Sequence, residues 1–284
     1  MRRMSLPARL LLLSLLCAAC GAAAAGPRVA LLTTLDGDAV VLRDSAKLGA
    51  VEGLALESGD ILVTGTQTRL LRIEYPNGLA LALGPESQAL LDPHLDAETA
   101  YVLAGWAKLN VPKGVAAALG GPGLEIGATG GSAAVVALQA SAQRVFAETG
   151  PLDVKSRPAG AAALSLATGQ MVTLDGAGAK PEVSPRPTPA LVQAMPRAFM
   201  DSLPSRAAAF KGKDVAPKAL GAIAYPDAQP WIDAEPALRH GFVKRWRALA
   251  KDAEFHRGLV AGLKAHPEWD PVLNPPPPAS TAKH

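Results

Sequence analysis

The chain has 284 residues, 49% hydrophobic but only 4% aromatic, so aliphatic and small side chains must fill most of its core. Its net charge of +3 conceals a split: residues 27–185 hold 11 basic and 16 acidic side chains, whereas residues 186–284 hold 14 and 9. The two cysteines, Cys17 and Cys20, both lie near the N-terminus, which excludes a disulfide framework or a cysteine metal site in the body.

The N-terminal stretch reads as a leader. Arg2, Arg3 and Arg9 precede an apolar run from Leu10 to Leu16, broken only by Ser14, and Cys17 to Gly26 is small and alanine-rich. That order is the n-region, h-region and cleavage region of a secretory signal. The sequence therefore predicts a signal peptide over 1–26 and an exported, periplasmic or envelope-associated protein. The apolar run is short against the ~20 residues of a membrane span. Two processing routes fit these residues. Ala22 to Ala25 suits ordinary cleavage near Gly26. Alternatively, Ala18-Ala19-Cys20-Gly21 resembles a lipoprotein box with Cys20 as the lipidated residue, although Cys17 stands where that box usually has leucine. A leader that stays attached would instead anchor the chain in the membrane.

Residues 27–178 show repeated short strands. Val29 to Thr34 and Ala39 to Leu42 flank the turn signal Asp36-Gly37. Ile61 to Thr64 follows the turn at Gly59-Asp60. Leu71, Ile73 and Tyr75 alternate with Arg72 and Glu74, a period of two with one face dry. Pro76-Asn77-Gly78 turns the chain into the returning strand of Leu79, Leu81 and Leu83. Further strands are expected at Ser87–Leu91, Tyr101–Ala104, Trp106–Val111, Leu124–Ile126, Ala133–Gln139, Arg144–Glu148, Leu152–Lys155, Ala162–Leu166 and Met171–Leu174. Many short strands at this spacing indicate a β-sandwich or barrel-like domain. The glycine-rich stretch Leu119–Gly131 reads as a mobile loop.

From Lys180 to Pro189 prolines recur, and residues 179–190 read as a linker that cannot join a sheet. Residues 191–272 then read as helical. Ala190–Ala209 is helix-compatible, though Pro196 and Pro204 break it. The best helix is Pro236–Lys251: Leu238, Phe242, Trp246 and Leu249 share one face, and Lys244, Arg245, Arg247 and Lys251 are assigned to a basic face on the other. Asp252 can cap a second helix bearing Phe255, Leu259 and Leu263. The fold class expected is thus mainly β followed by a smaller α-helical part. Residues 273–284 read as a disordered tail.

No catalytic constellation stands out. Gly130-Gly131-Ser132 lacks the full nucleophile-elbow frame, and His94 is the lone histidine of the β region. Asp36 and Asp38 flank a turn glycine and are too few for a calcium loop. His240, His256 and His266 match no metal spacing and read as solvated surface histidines. No cofactor and no metal are expected. Export argues against nucleic acid as the partner of the basic face; an anionic membrane surface or acidic polymer fits better, and a merely solvated helix face is the first-ranked reading.

The run Leu56-x-x-Gly59-Asp60-Ile61-x-x-Thr64-Gly65, then Leu71-x-Ile73-x-Tyr75-Pro76-Asn77-Gly78, then Leu81-x-Leu83-Gly84-Pro85-x-Ser87 resembles the FecR-domain pattern. The resemblance covers roughly residues 28–176, more weakly beyond Pro93. It implies a β-rich periplasmic module used in signalling or envelope assembly, without catalysis. The regulators that name the family carry a cytoplasmic sigma-binding segment, and only nine residues precede the apolar run here. The expected function is therefore a non-enzymatic envelope protein that binds an unidentified protein or cell-wall polymer through loops or a sheet edge. Two alternatives are an anchored extracytoplasmic regulator and an envelope hydrolase resting on Ser132.

Overall fold

The short apolar strands bury their dry faces against one another and close face to face around an aliphatic core. The computed structural model describes residues 26–93, 98–139, 142–157, 163–175 and 180–275. Cys17, Cys20, His94 and residues 276–284 lie outside them. Among the described residues, 18 strands, numbered in chain order, form two mostly antiparallel sheets that share one long strand.

The first sheet runs β17 (Glu182–Ser184), β16 (Met171–Leu174), β13 (Gln143–Thr149), β12 (Ala133–Leu138), β9 (Ala100–Asn110), β7 (Ala80–Leu83), β6 (Leu70–Glu74), β1 (Arg28–Asp36) and β4 (Ala55–Glu57). The second runs β18 (Lys218–Ala222), β3 (Ala46–Gly49), β2 (Ala39–Arg43), β5 (Ile61–Thr64), β8 (Gln88–Leu91), β9 again, β10 (Ala117–Gly121), β11 (Leu124–Ala128), β14 (Leu152–Ser156) and β15 (Leu164–Leu166). The β9–β10 pair is parallel. Strand β9 changes sheet at Gly105, whose φ of +90° favours glycine. A Cβ there would lie 2.4 Å from Ser87 Oγ.

The inner faces enclose an aliphatic core that includes Leu32, Leu62, Leu81, Leu119, Val136 and Val154. Both outer faces are covered by the C-terminal third of the chain. On the second sheet, Leu42, Ile61, Leu90 and Tyr101 pack against Trp231, Phe242, Trp246, Phe255 and Trp269. Those aromatics come from α2 (Tyr225–Ile232), α3 (Pro236–Trp246), α4 (Ala253–Gly262) and a 3-10 turn that leads into a final short helix at Asp270–Leu273. On the first sheet, Leu70, Ala82, Trp106, Val135, Ala137 and Met171 pack against Leu191, from α1 (Pro189–Ala194), and Phe199. This double cover explains why β7 and β12 are buried at every position rather than alternating.

The mainly β class with C-terminal helices is what the structure shows. Four local expectations change. The glycine-rich stretch 119–131 is largely the β10–β11 hairpin, in perfect register from Ala117↔Ala128 to Gly121↔Leu124. Glycine serves close packing there: a Cβ on Gly120 would collide with the carboxylate of Glu98. The proline-rich stretch supplies β17, because Pro181 and Pro185 fall outside the three residues that pair antiparallel with β16 at the sheet edge. Ala190–Ala209 is mostly not helix. After α1 it crosses the first sheet as a strap with 3-10 turns at Arg197–Phe199 and Ala207–Phe210. Lys218–Ala222, within the region read as helical, is the edge strand β18. The capping of α4 follows the sequence: Asp252 Oδ1 accepts from the N–H groups of Glu254 and Phe255 at 3.0 and 2.9 Å.

Candidate functional site

Helix α3 starts at Pro236, whose missing N–H costs nothing at a first helical turn. Arg247 and Ala248 continue it in helical backbone into the 3-10 turn Leu249–Lys251. Leu238, Phe242 and Trp246 are buried against the second sheet, and the Phe242 and Trp246 rings stack with centroids 4.6 Å apart. Trp246 Nε1 donates to Asp44 O at 2.7 Å.

Lys244, Arg247 and Lys251, at spacings of three and four, are exposed on the opposite side. Among the described residues, none of the three has a salt-bridge partner. His240 heads the same stripe, exposed, with Nε2 3.8 Å from Glu268 Oε1. The stripe from 240 to 251 spans roughly 16 Å at the helical rise per residue.

Arg245 does not belong to it. Its Nη1 donates to Gly59 O at 2.6 Å and its Nη2 to Leu42 O at 3.0 Å, so it pins α3 to the second sheet. The guanidinium also lies 5.5 Å from the Trp246 ring centre. Burial pulls its pKa down from the usual arginine value, and the charges of Asp44 and Asp60 only partly restore it. The basic face assigned from sequence is thus a three-cation stripe plus one structural arginine.

The residues that carry the FecR-like pattern have local structural work. Asp60 is 1% exposed and accepts from Arg43 Nε at 2.8 Å, Arg43 Nη2 at 2.6 Å and Glu57 N at 2.9 Å. Burial raises the Asp60 pKa, and Arg43 offsets only part of that. Thr64 Oγ1 donates to Gly84 O at 2.6 Å and accepts from Ser87 N at 2.8 Å. Ser87 Oγ lies 3.0 Å from Trp106 O and accepts from Trp106 N at 2.8 Å, clasping β9 where it changes sheet. Gly59 and Gly78 take φ of +83° at their turns.

The other sequence candidates lie apart. Ser132 is 2% exposed and donates to Thr129 O within its own turn, far from a nucleophile's exposure. Asp36 pairs with Arg69 at 2.7 Å. His256 is exposed, as expected, but His266 is fully buried. Its Nδ1 lies 2.7 Å from Asp233 Oδ1 and its Nε2 3.1 Å from Leu259 O. The reading of His266 as a solvated histidine fails because its ring packs against α4, at the Leu259 carbonyl and beside Gly262. Among the described residues, no group of three or more metal-ligating side chains occurs, and no helix is long and apolar enough to cross a membrane.

A groove of about 380 Å³ lies between the first sheet and the strap. Its charged walls already hold the chain's own backbone. Lys108 Nζ donates to Phe199 O at 2.5 Å and pairs with Glu148 at 2.6 Å, and Arg72 Nη1 donates to Leu203 O and Pro204 O at 2.9 Å each. The four sheet edges are short: β4, β15 and β17 have three residues each, and β18 is bulged between Ala219 and Gly221 and carries Lys218. Such features discourage edge pairing. The α3 stripe is a surface feature whose three cations have no ion-pair partner among the described residues.

No family model matches the chain, and no curated protein matches it. Among solved structures, the similar chains include two crystal structures of a "putative anti-sigma factor" from Parabacteroides distasonis ATCC 8503, each 13% identical. Their TM-scores are 0.38 and 0.37, with 46% and 44% of this chain covered. The alignments span 63% and 58% of those chains. At these values the likeness identifies no family.

The signal that separates Arg245 from the stripe is present in the sequence. It stands three residues after Phe242 and four before Leu249, at the border of the apolar face. The carbonyls it reaches, on β2 and at the Gly59 turn, are far away in the chain and have no local signature.

Proposed function

We propose that this chain is a non-enzymatic exported envelope module whose FecR-like sandwich presents the Lys244, Arg247 and Lys251 stripe to an acidic protein or cell-wall partner. The observation that carries the reading is the two-sided build of α3. One side is fixed to the sandwich by Arg245 and Trp246, and the other holds three cations with no acidic partner among the described residues. A rigidly held charged stripe steers and orients an oppositely charged partner. The leader and the strand-and-turn pattern support an address outside the cytoplasm and membership of a binding class. The engagement of Arg72, Lys108 and Glu148 by the strap, together with the burial of Ser132, supports binding over catalysis.

The test places a photocrosslinker at exposed Ala248, between Arg247 and Lys251, and irradiates intact cells. The reading expects one dominant adduct in the envelope fraction, with a yield that falls as salt rises. An adduct pattern insensitive to salt, or no adduct at all, contradicts it.

A further inference from the structure

At the first described residue, the Gly26 N–H donates to Glu57 Oε2 at 2.6 Å. The contact lies beside a cavity of about 220 Å³ whose charged lining is Arg43, Arg245, Asp44, Glu57 and Asp60. Arg43 takes the other oxygen of Glu57 at 2.5 Å and both oxygens of Asp60. Arg43 and Arg245 thus face the shielded carboxylates of Glu57 and Asp60, Asp44 being exposed at the rim, and Glu57, whose side chain is 13% exposed, has the oxygen that Arg43 leaves free directed at the Gly26 nitrogen. A buried carboxylate left without full compensation is costly. A positive charge at Gly26 N would sit on the atom already in hydrogen-bond contact with that free Glu57 oxygen.

Local geometry suits that atom. Gly26 is half-buried, and a Cβ there would stand 3.0 Å from Glu57 Oε2, so a side chain at this position would crowd the carboxylate. Pro27 O accepts from Ser58 N at 3.0 Å, and Arg28 pairs with Glu57 in the β1–β4 ladder. The backbone on the C-terminal side of Gly26 is therefore held in register with Glu57. On the N-terminal side, Ala23 and Ala25 place small residues at the third and first positions before Gly26, the pattern that leader peptidases cut.

We infer that the chain is processed at the Ala25–Gly26 bond and that the ammonium this creates is the partner of Glu57 at the mouth of this pocket, joined to it by a charge-assisted hydrogen bond. Hydrolysis breaks the Ala25 C–N bond, places the hydroxyl of water on Ala25 and leaves a protonated amine on Gly26. An unprocessed chain, or one cut at Cys20, offers only a neutral amide here, a weaker donor to Glu57. Removal of the leader is thereby coupled to locking β1 against β4. The inference rests on the exported reading above.

Two measurements test it. The first expresses the full chain in a Gram-negative host and determines the N-terminus of the product by intact mass. The inference expects Gly26. A start at a lipidated Cys20 or at another leader residue overturns the inference and leaves export standing, whereas an intact Met1 in the cytoplasmic fraction overturns export as well. The second releases the protein from a fusion with either Gly26 or Ala25 as first residue, in the wild-type and Glu57→Gln backgrounds. The Gly26 form should unfold about 2 °C or more above the Ala25 form in wild type, and the gap should vanish in Glu57→Gln. No gap in wild type, or an equal gap in both backgrounds, overturns the pocket assignment.

Discussion

Replacing Arg245 by alanine should destabilise the protein as a core substitution does. The side chain donates two charge-assisted hydrogen bonds to backbone carbonyls, at 2.6 and 3.0 Å, and each such bond is worth about 1.5–3 kcal/mol. Contact with the faces of Phe242 and Trp246, 5.8 and 5.5 Å from the guanidinium carbon, adds roughly 0.5–1 kcal/mol. Against this, the buried charge has a desolvation cost that alanine relieves. The net loss comes to about 3 kcal/mol, or roughly 6–12 °C in Tm for a chain of this size. Guanidinium denaturation followed by tryptophan fluorescence measures it, since Trp231, Trp246 and Trp269 are all fully buried. Lys244→Ala, on the exposed stripe, should change stability by less than about 0.5 kcal/mol. An Arg245→Ala loss no larger than that of Lys244→Ala would refute the pinning role.

Three further outcomes are expected. His266→Ala should cost about 2–4 kcal/mol in the same assay, because it leaves a cavity and strips Asp233 and the Leu259 carbonyl of their partner; a solvated histidine would cost almost nothing. Gly105→Ala should cost about 3 kcal/mol or more, or prevent folding, because its φ of +90° and the 2.4 Å approach to Ser87 leave a methyl no room; a soluble variant of wild-type Tm would contradict this. Glu74 supplies a pH signature. Burial alone would raise its pKa, but hydrogen bonds from Ser205, the Arg206 N–H and Thr33, with the Arg72 charge, outweigh burial and hold it below the ordinary glutamate value. A depressed folded pKa stabilises fully above the unfolded value of about 4.3 and loses that stabilisation as pH falls through the folded value. The stability advantage of wild type over Glu74→Gln, about 1–2 kcal/mol at pH 7, should therefore shrink below about pH 4. An advantage constant from pH 7 to pH 3 would show that the carboxylate charge is not involved.

The strands were legible wherever alternation or an apolar run met a turn signal, as at Ile61–Thr64 and Ala133–Leu138. The period-two pattern carries its own evidence in five or six residues. The β10–β11 hairpin was half legible: Leu124–Ile126 read as a strand, but β10 was hidden because Gly120 answers to the distant Glu98 carboxylate. Strand β17 was hidden by the prolines on either side of it. The strap was hidden for the opposite reason: its alanines suit a helix, and long-range bonds decide otherwise. Phe199 O is held by Lys108, and Ser205 and the Arg206 N–H are held by Glu74. The α3 stripe was three-quarters legible. Lys244, Arg247 and Lys251 emerge from helical spacing alone, while the role of Arg245 depends on carbonyls about two hundred residues earlier in the chain. His266 depends likewise on Asp233, across the turn between helices.

The central claim is that α3 is a fixed support for an exposed cationic contact surface. Charge reversal at Lys244, Arg247 and Lys251 together, read out in the Ala248 crosslinking assay, tests it most directly. The account predicts a Tm within about 2 °C of wild type, because surface changes leave the pinned face untouched, and loss of the envelope adduct. A folded triple variant that still forms the wild-type adduct in full yield would contradict it.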